Sequence, residues 1–134
     1  MSKYTNLSMS KEARTLWFVN PQKFKSFCNG VGSQVGWASP LYHLIPNTIW
    51  FLDITPASDI HDVEYSHPTQ FITRNEALLF KEYADERFYQ NMLILIERKG
   101  GWMRKMRLRR AKIYYYLVLN CGEQSFLKNK DIII

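Results

Sequence analysis

The stretch from residue 73 to residue 101 limits the possible folds most, because it contains a helix start, a helical repeat and a helix stop. Residues 73–76 read TRNE, which fits a capping box: the Thr73 hydroxyl and the Glu76 carboxylate each accept from a backbone N–H. Apolar residues then recur at spacings of three, four and seven, namely Ala77, Ala84, Phe88, Met92 and Leu95. This pattern predicts an amphipathic helix over residues 74–99 that ends at Gly100-Gly101.

Two further helices are predicted, one on each side of this long helix. Thr55-Pro56 fits a helix start, with a hydroxyl at the cap position and proline in the first turn, and Pro68 limits that helix to residues 55–66. Residues 103–120 are basic in their first half and aromatic or aliphatic in their second, and Gly122 predicts the stop. The 134 residues suit one hydrophobic core, so residues 1–134 are expected to form a single, mainly α domain.

Three local features are candidates for a functional site. Asp85 interrupts the apolar stripe of the long helix, where a carboxylate is costly unless it has a partner. His61-Asp62 precedes Tyr65, so His61 and Tyr65 share one helix face at i and i+4. Residues 28–48 are rich in glycine and proline, which predicts an ordered loop. Each feature alone also has an ordinary interpretation, as a solvated pair, a salt-bridged aspartate or a simple turn.

In their order and helical placement, these features resemble the secreted phospholipase A2 superfamily. Its members pair a glycine-rich calcium loop with an HDxxY helix and an aspartate on an antiparallel partner helix. The match covers residues 28–88, and the stretches DITPASDIHDVEY (53–65) and ADERF (84–88) look most like bacterial and phage-encoded members. Ser33 stands where the family usually has another glycine, and the family's anchoring cysteines are absent. The resemblance implies two antiparallel core helices, a preceding glycine-rich metal loop and a third, basic helix.

The resemblance also implies the chemistry of the site. His61 would take a proton from water, Asp85 would hold the other ring nitrogen, and Tyr65 would hydrogen-bond Asp85. Calcium prefers about six to eight oxygen ligands, so the backbone must contribute. The implied ligands are the Asp62 carboxylate and the carbonyl oxygens of Cys28, Gly30 and Gly32. Calcium and the Gly30 N–H would stabilise the oxyanion during hydrolysis of a glycerophospholipid acyl ester.

Residues 98–112 hold more positive charge than the net +6 of the whole chain, and none of them is acidic. Such a cluster attracts polyanions, and Trp102 adds the apolar surface expected of a protein that docks on phospholipid, including anionic phospholipid. The residues expected to contact the membrane surface are Arg98, Lys99, Trp102, Arg104, Lys105, Arg107, Arg109 and Arg110. The alternative is a non-catalytic module that uses this helix to bind anionic lipid, a protein partner or, less favoured, nucleic acid.

Three further interpretations follow from the sequence. An H…HD…D order from His43 through His61-Asp62 would suit an HD-type metal phosphohydrolase, which is less favoured because His43 lies in the punctuated loop. No apolar run is long enough for a signal peptide or a transmembrane segment. We therefore expect a chain made soluble in the cytoplasm that reaches a membrane by release or another delivery route. Cys28 and Cys121 are the only cysteines, and a bridge between them stays open.

Overall fold

The computed structural model describes residues 3–28 and 45–133, and within them the chain is mainly helical, which confirms the predicted fold class at that level. The helices are α1 (Lys11–Val19), α2 (Pro21–Phe27), α3 (Thr55–Ser66), α4 (Arg74–Lys99), α5 (Arg104–Cys121) and α6 (Glu123–Leu127). The strands are β1 (Thr48–Ile49), β2 (Leu52–Asp53), β3 (Thr69–Phe71) and β4 (Lys130–Ile132). The predicted bounds of α3 and α4 are confirmed, and α5 begins and ends one residue later than predicted.

Local hydrogen bonds explain where α3 and α4 begin. The predicted Thr55 cap is wrong: α3 starts at Thr55 itself, and the Asp53 carboxylate accepts from its backbone N–H at 2.9 Å and from its hydroxyl. The capping box of α4 is confirmed, because the Thr73 hydroxyl accepts from Glu76 N at 3.1 Å while the Glu76 carboxylate accepts from Ile72 N. At the other end of α4, Gly100 has φ +59°, a conformation that favours glycine.

Helices α3 and α4 pack side by side in opposite directions. Tyr65 contacts Asp85, whereas His61, one turn earlier on α3, stacks on Phe88, one turn later on α4. A buried ion pair between Glu64 and Arg87, with Nε–Oε1 at 2.6 Å, holds the same register. The apolar stripe of α4 is buried as predicted at Ala77, Ala84, Phe88 and Met92, and Leu95 is half-buried.

Two small sheets brace α3 at its ends. Before α3, β1 and β2 form an antiparallel hairpin; after it, β3 pairs in parallel with the distant β4. From β4, the Lys130 ammonium donates to the carbonyl oxygens of Glu64 and His67 at 2.9 and 2.6 Å, and so binds free carbonyls at the C-terminal end of α3. Cys28 and Cys121 are free thiols, so no bridge joins them.

No helix in residues 3–28 and 45–133 is both long enough and apolar enough to cross a membrane. Most of the predicted glycine-rich loop, residues 29–44, lies outside the described residues.

Candidate active site

The centre of the site is a hydrogen-bonded group of three side chains from α3 and α4. The Nε2 atom of His61 lies 2.8 Å from Asp85 Oδ1, and the Tyr65 hydroxyl donates to the same oxygen at 2.6 Å. Asp85 is fully buried, and His61 and Tyr65 are nearly so. The contact predicted between His61 and Asp85 is confirmed, as is the hydrogen bond from Tyr65.

The second carboxylate oxygen of Asp85 is bound by a lysine. Lys81 Nζ donates to Asp85 Oδ2 at 2.6 Å and to the carbonyl oxygens of Val118 and Leu119 at 3.0 and 3.3 Å. Lys81 is 4% exposed, so a buried ammonium with three oxygen partners lies against a buried carboxylate. The ordinary interpretation, that Asp85 pairs with a basic residue, therefore holds together with the contact to His61.

These partners keep Asp85 ionised despite its burial. Burial alone would raise the pKa of Asp85, but the hydrogen bond from His61 and the nearby Lys81 cation more than offset it, and the pKa lies below its usual value. Burial and the Asp85 charge raise the pKa of Tyr65, which is therefore a neutral hydrogen-bond donor. An ionised Asp85 can only accept at Oδ1, so Nε2 of His61 carries the proton of that bond and Nδ1 is the basic nitrogen.

The imidazole of His61 is held between two rings beside a cavity. Its centroid lies 4.6 Å from the Phe88 ring in a stacked arrangement and 4.2 Å from the Tyr65 ring. The cavity has a volume of about 190 Å³, and its walls include Asp62, Asn47 and the three aromatic or imidazole side chains. A cavity of this size has room for several water molecules beside the His61 side chain.

Asp62, the predicted metal ligand, lies on the cavity wall and close to the start of the glycine-rich segment. It is half-buried, and its charge contributes to raising the pKa of Cys28 to about 12, after burial and Asp59. The Cys28 thiol also donates to the carbonyl oxygen of Asp59 on α3 at 3.6 Å. Residue 28 therefore packs on α3, and residue 45, where the description resumes, lines the cavity. One flank of the 29–44 segment, Cys28, is therefore close to Asp62, and the other, Ile45, lines the same cavity.

The remaining predicted ligands cannot be located. Gly30, Gly32 and the alternative ligand His43 lie outside the described residues. Within residues 3–28 and 45–133, no three or more His, Cys, Asp or Glu side chains converge on one point. Of the predicted ligands, the described residues therefore contain Asp62 and Cys28.

The basic residues of the segment 98–112 are exposed or half-buried with one exception, which corrects the predicted contact surface. Arg107 is 5% exposed, and its guanidinium donates to the carbonyl oxygen of Trp50 from Nε at 3.1 Å and from its terminal nitrogen at 2.7 Å. Arg107 is therefore a bracing residue and not a surface contact. The other predicted contacts remain exposed or half-buried: Arg98, Lys99, Trp102, Arg104, Lys105, Arg109 and Arg110.

The sequence analysis missed Lys81, Phe88 as a ring partner, and Gly122 as parts of this site. Lys81 stands at i−4 from Asp85 on α4, a spacing that brings two side chains together on a helix and could have signalled the pair. Gly122 was assigned only as a helix stop. A Cβ there would lie 2.6 Å from the Tyr65 hydroxyl oxygen and 2.5 Å from the Val118 carbonyl oxygen, so the close approach of α5 to Tyr65 needs glycine.

Gly122→Ala is expected to lower the free energy of unfolding by about 1–3 kcal/mol, because the added methyl group must displace the Tyr65 hydroxyl or the end of α5. Urea denaturation followed by circular dichroism measures this. Ser125→Ala, on the neighbouring helix and also at the cavity, adds no atom and is the matched control with little expected change. A stability of Gly122→Ala equal to that of the wild type would contradict the close packing at Tyr65.

Comparison with known protein families, with characterised proteins and with solved structures found no match to this chain.

Proposed function

We propose that this protein is a calcium-dependent phospholipase A2-like hydrolase that cleaves an acyl ester of glycerophospholipids. The observation that carries the proposal is the His61–Asp85–Tyr65 hydrogen-bond group, whose histidine faces a cavity that Asp62 also lines. The antiparallel pairing of α3 and α4 supports the phospholipase A2-like interpretation of the fold.

The proposed reaction uses His61 first as a base and then as an acid. Its Nδ1 accepts a proton from a water in the cavity as the water oxygen bonds to the ester carbonyl carbon. Asp85, held anionic by Lys81, stabilises the imidazolium through Nε2. When the tetrahedral intermediate collapses, the proton passes from Nδ1 to the departing glycerol oxygen, and the products are a free fatty acid and a lysophospholipid.

The stacked ring of Phe88 and the tilted ring of Tyr65 support this role for His61 because they restrict the orientation of the imidazole. A fixed base lowers the entropic cost of reaching the attacking geometry. Besides contacting the imidazole, Tyr65 donates a hydrogen bond from its hydroxyl to Asp85 Oδ1. This bond limits rotation of the carboxylate. In this role it positions Asp85 and does not itself transfer the reacting proton.

The ligands that we propose around Asp62 are all oxygen atoms, the type that calcium prefers. A half-buried carboxylate lies beside Cys28, whose carbonyl, with those of Gly30 and Gly32, is a proposed ligand of oxygen type. When bound, calcium would polarise the ester carbonyl and, with the Gly30 N–H, offset the developing oxyanion charge. Asp62 would hold the cation through its carboxylate, on the same cavity as the basic nitrogen.

The test is fatty-acid release from mixed vesicles of phosphatidylcholine and phosphatidylglycerol, measured over a calcium titration with the wild type and Asp62→Ala. We expect release that a chelator abolishes, and in Asp62→Ala a loss of the calcium response, because the one charged ligand is removed. Asp131→Asn, an exposed aspartate on β4, is the matched control and should keep the wild-type titration. Release that is unaffected by calcium in the wild type would contradict the proposed metal dependence.

A second candidate is a non-catalytic module that binds a polyanion through α5. The observation that favours it is the exposed run of cations on that helix, including Lys105 and Arg109. No fatty-acid release by the wild type, together with lipid or nucleic-acid binding that is lost in Lys105→Gln/Arg109→Gln, would favour this module over the hydrolase. Arg107 is not a suitable position for this test, because it is buried against the hairpin.

A further inference from the structure

The turn between β1 and β2 exposes aromatic residues in a backbone conformation that such residues rarely adopt. Ile49 pairs with Leu52, so Trp50 and Phe51 form a two-residue turn with φ angles of +43° and +67°. Hairpin turns with two positive φ angles favour asparagine and glycine, and bulky side chains there are strained. Phe51 is nevertheless 87% exposed and Trp50 39%. The fold keeps a strained, solvent-facing aromatic turn where a smaller residue would be more stable.

Helix α5 braces this turn at three positions on one face. The buried Arg107 donates two hydrogen bonds to the Trp50 carbonyl oxygen, and the Arg110 guanidinium carbon lies 5.2 Å from the centre of the Trp50 ring. Seven residues after Arg107, the Tyr114 hydroxyl donates to the Thr48 carbonyl oxygen at 3.0 Å. The buried, charged side chain of Arg107 therefore fixes the backbone of an exposed turn, so the turn is held rigidly at the surface.

A third exposed aromatic residue lies close to this turn. The Arg107 guanidinium also contacts the Gly100 carbonyl oxygen at 3.5 Å and the Met103 sulfur at 3.7 Å, so the α4–α5 connection lies beside the hairpin turn. That connection carries Trp102, which is 84% exposed. We refer to Trp50, Phe51 and Trp102 as the aromatic tip.

The charges around the aromatic tip favour an anionic partner. Arg110 lies over the Trp50 ring, and Lys99 and Lys105 are exposed near the two ends of the α4–α5 connection that carries Trp102. Of the nearby acidic groups, Glu97 is paired with Arg104, whereas the exposed Asp53 keeps its negative charge, so the cations outnumber the one uncompensated carboxylate. Tryptophan with lysine and arginine is the composition that suits the interface between lipid headgroups and acyl chains.

We propose that the aromatic tip enters an anionic phospholipid surface and is the part of the protein that anchors it there. This inference rests on the proposed lipid hydrolase and adds the residues that engage its substrate surface. The geometry links the two, because the Asn47 carbonyl accepts from Ile54 N at 2.8 Å at the base of the hairpin, and Asn47 lines the His61 cavity. An inserted tip therefore brings the lipid surface to the rim of the cavity.

Vesicles of ether-linked phosphatidylcholine, with or without ether-linked phosphatidylglycerol, test this without hydrolysis, because they contain no acyl ester. In co-sedimentation of the full chain, we expect stronger binding when phosphatidylglycerol is present. Phe51→Gly and Trp102→Ser should each weaken that binding about tenfold, since each removes one apolar side chain from the interface. Phe51→Gly should also raise the melting temperature, by about 3 °C, because glycine relieves the positive-φ strain.

Phe18→Ser is the matched control, since Phe18 is an equally exposed aromatic on α1, at 76%. The proposal is overturned if the wild type does not bind these vesicles, if both tip variants bind like the wild type, or if Phe18→Ser weakens binding as much as they do. Release of fatty acid from dispersed short-chain phospholipid tests the hydrolase separately. Calcium-dependent release with tip-independent vesicle binding removes only the anchor, whereas tip-dependent binding without any release removes only the hydrolase.

Discussion

Replacing His61 with glutamine is expected to lower calcium-dependent fatty-acid release by about 10²–10⁴-fold, the usual contribution of a positioned general base. Glutamine keeps the approximate size of the side chain and can still donate to Asp85, but it has no basic nitrogen to accept the proton of the attacking water. The measurement is the initial rate of release from phosphatidylcholine–phosphatidylglycerol vesicles at saturating calcium, with the unfolding curve of each variant recorded beside it.

His67→Gln is the matched control for this experiment. His67 is half-buried at the end of α3, and its ring packs edge-on against Phe27 and not at the cavity. We expect its rate to stay within a few-fold of the wild type. Equal rates for His61→Gln and the wild type would remove His61 from the mechanism, and an equal loss in His67→Gln would mean that the effect comes from the stability of α3.

Replacing Lys81 with methionine is expected to produce the largest loss of stability, a decrease of about 3–5 kcal/mol in the free energy of unfolding. Methionine matches the length of the lysine stem but leaves the fully buried Asp85 without its cation, and breaking a buried ion pair from one side costs this much. The carbonyl oxygens of Val118 and Leu119 lose a donor as well. Urea denaturation of the wild type and the variant measures the difference.

The double variant Lys81→Met/Asp85→Asn separates charge from packing in this prediction. It removes both charges, so we expect it to recover part of the stability lost by Lys81→Met. Lys112→Met, an exposed lysine on α5, should change the free energy of unfolding by less than about 0.5 kcal/mol. A loss in Lys81→Met as small as in Lys112→Met would show that Asp85 does not depend on the buried cation.

The elements that the sequence predicted well have local signals. The ends of α4 follow from Thr73, Glu76 and Gly100, which act within a few residues of the helix terminus. The contact between His61 and Asp85 joins residues 24 apart. Helical periodicity indicated only that Asp85 needs a buried partner, and the resemblance to the phospholipase A2 superfamily implied that this partner is His61.

The features that were missed depend on distant parts of the chain. The parallel pairing of β3 with β4 joins short segments about sixty residues apart, with no turn residues between them to signal it. The hairpin turn was missed because Trp50-Phe51 lacks the asparagine or glycine that such turns favour. The tertiary hydrogen bonds from Arg107 to this turn offset the strain of its positive φ angles. Arg107 was assigned to the surface from its charge alone, because no sequence pattern distinguishes one buried arginine from the exposed basic residues of the same helix.

The parallel β3–β4 pair and the Lys130 ammonium at the end of α3 also set an order of events during synthesis. His61 and Asp85 leave the ribosome well before Val118, Leu119 and Lys130, the residues that hold Lys81 and the last carbonyls of α3. A nascent chain that stops short of residue 118 thus contains His61 and Asp85 but lacks all three of these groups. The side chains around His61 and Asp85 can therefore reach their final arrangement only after translation has passed β4.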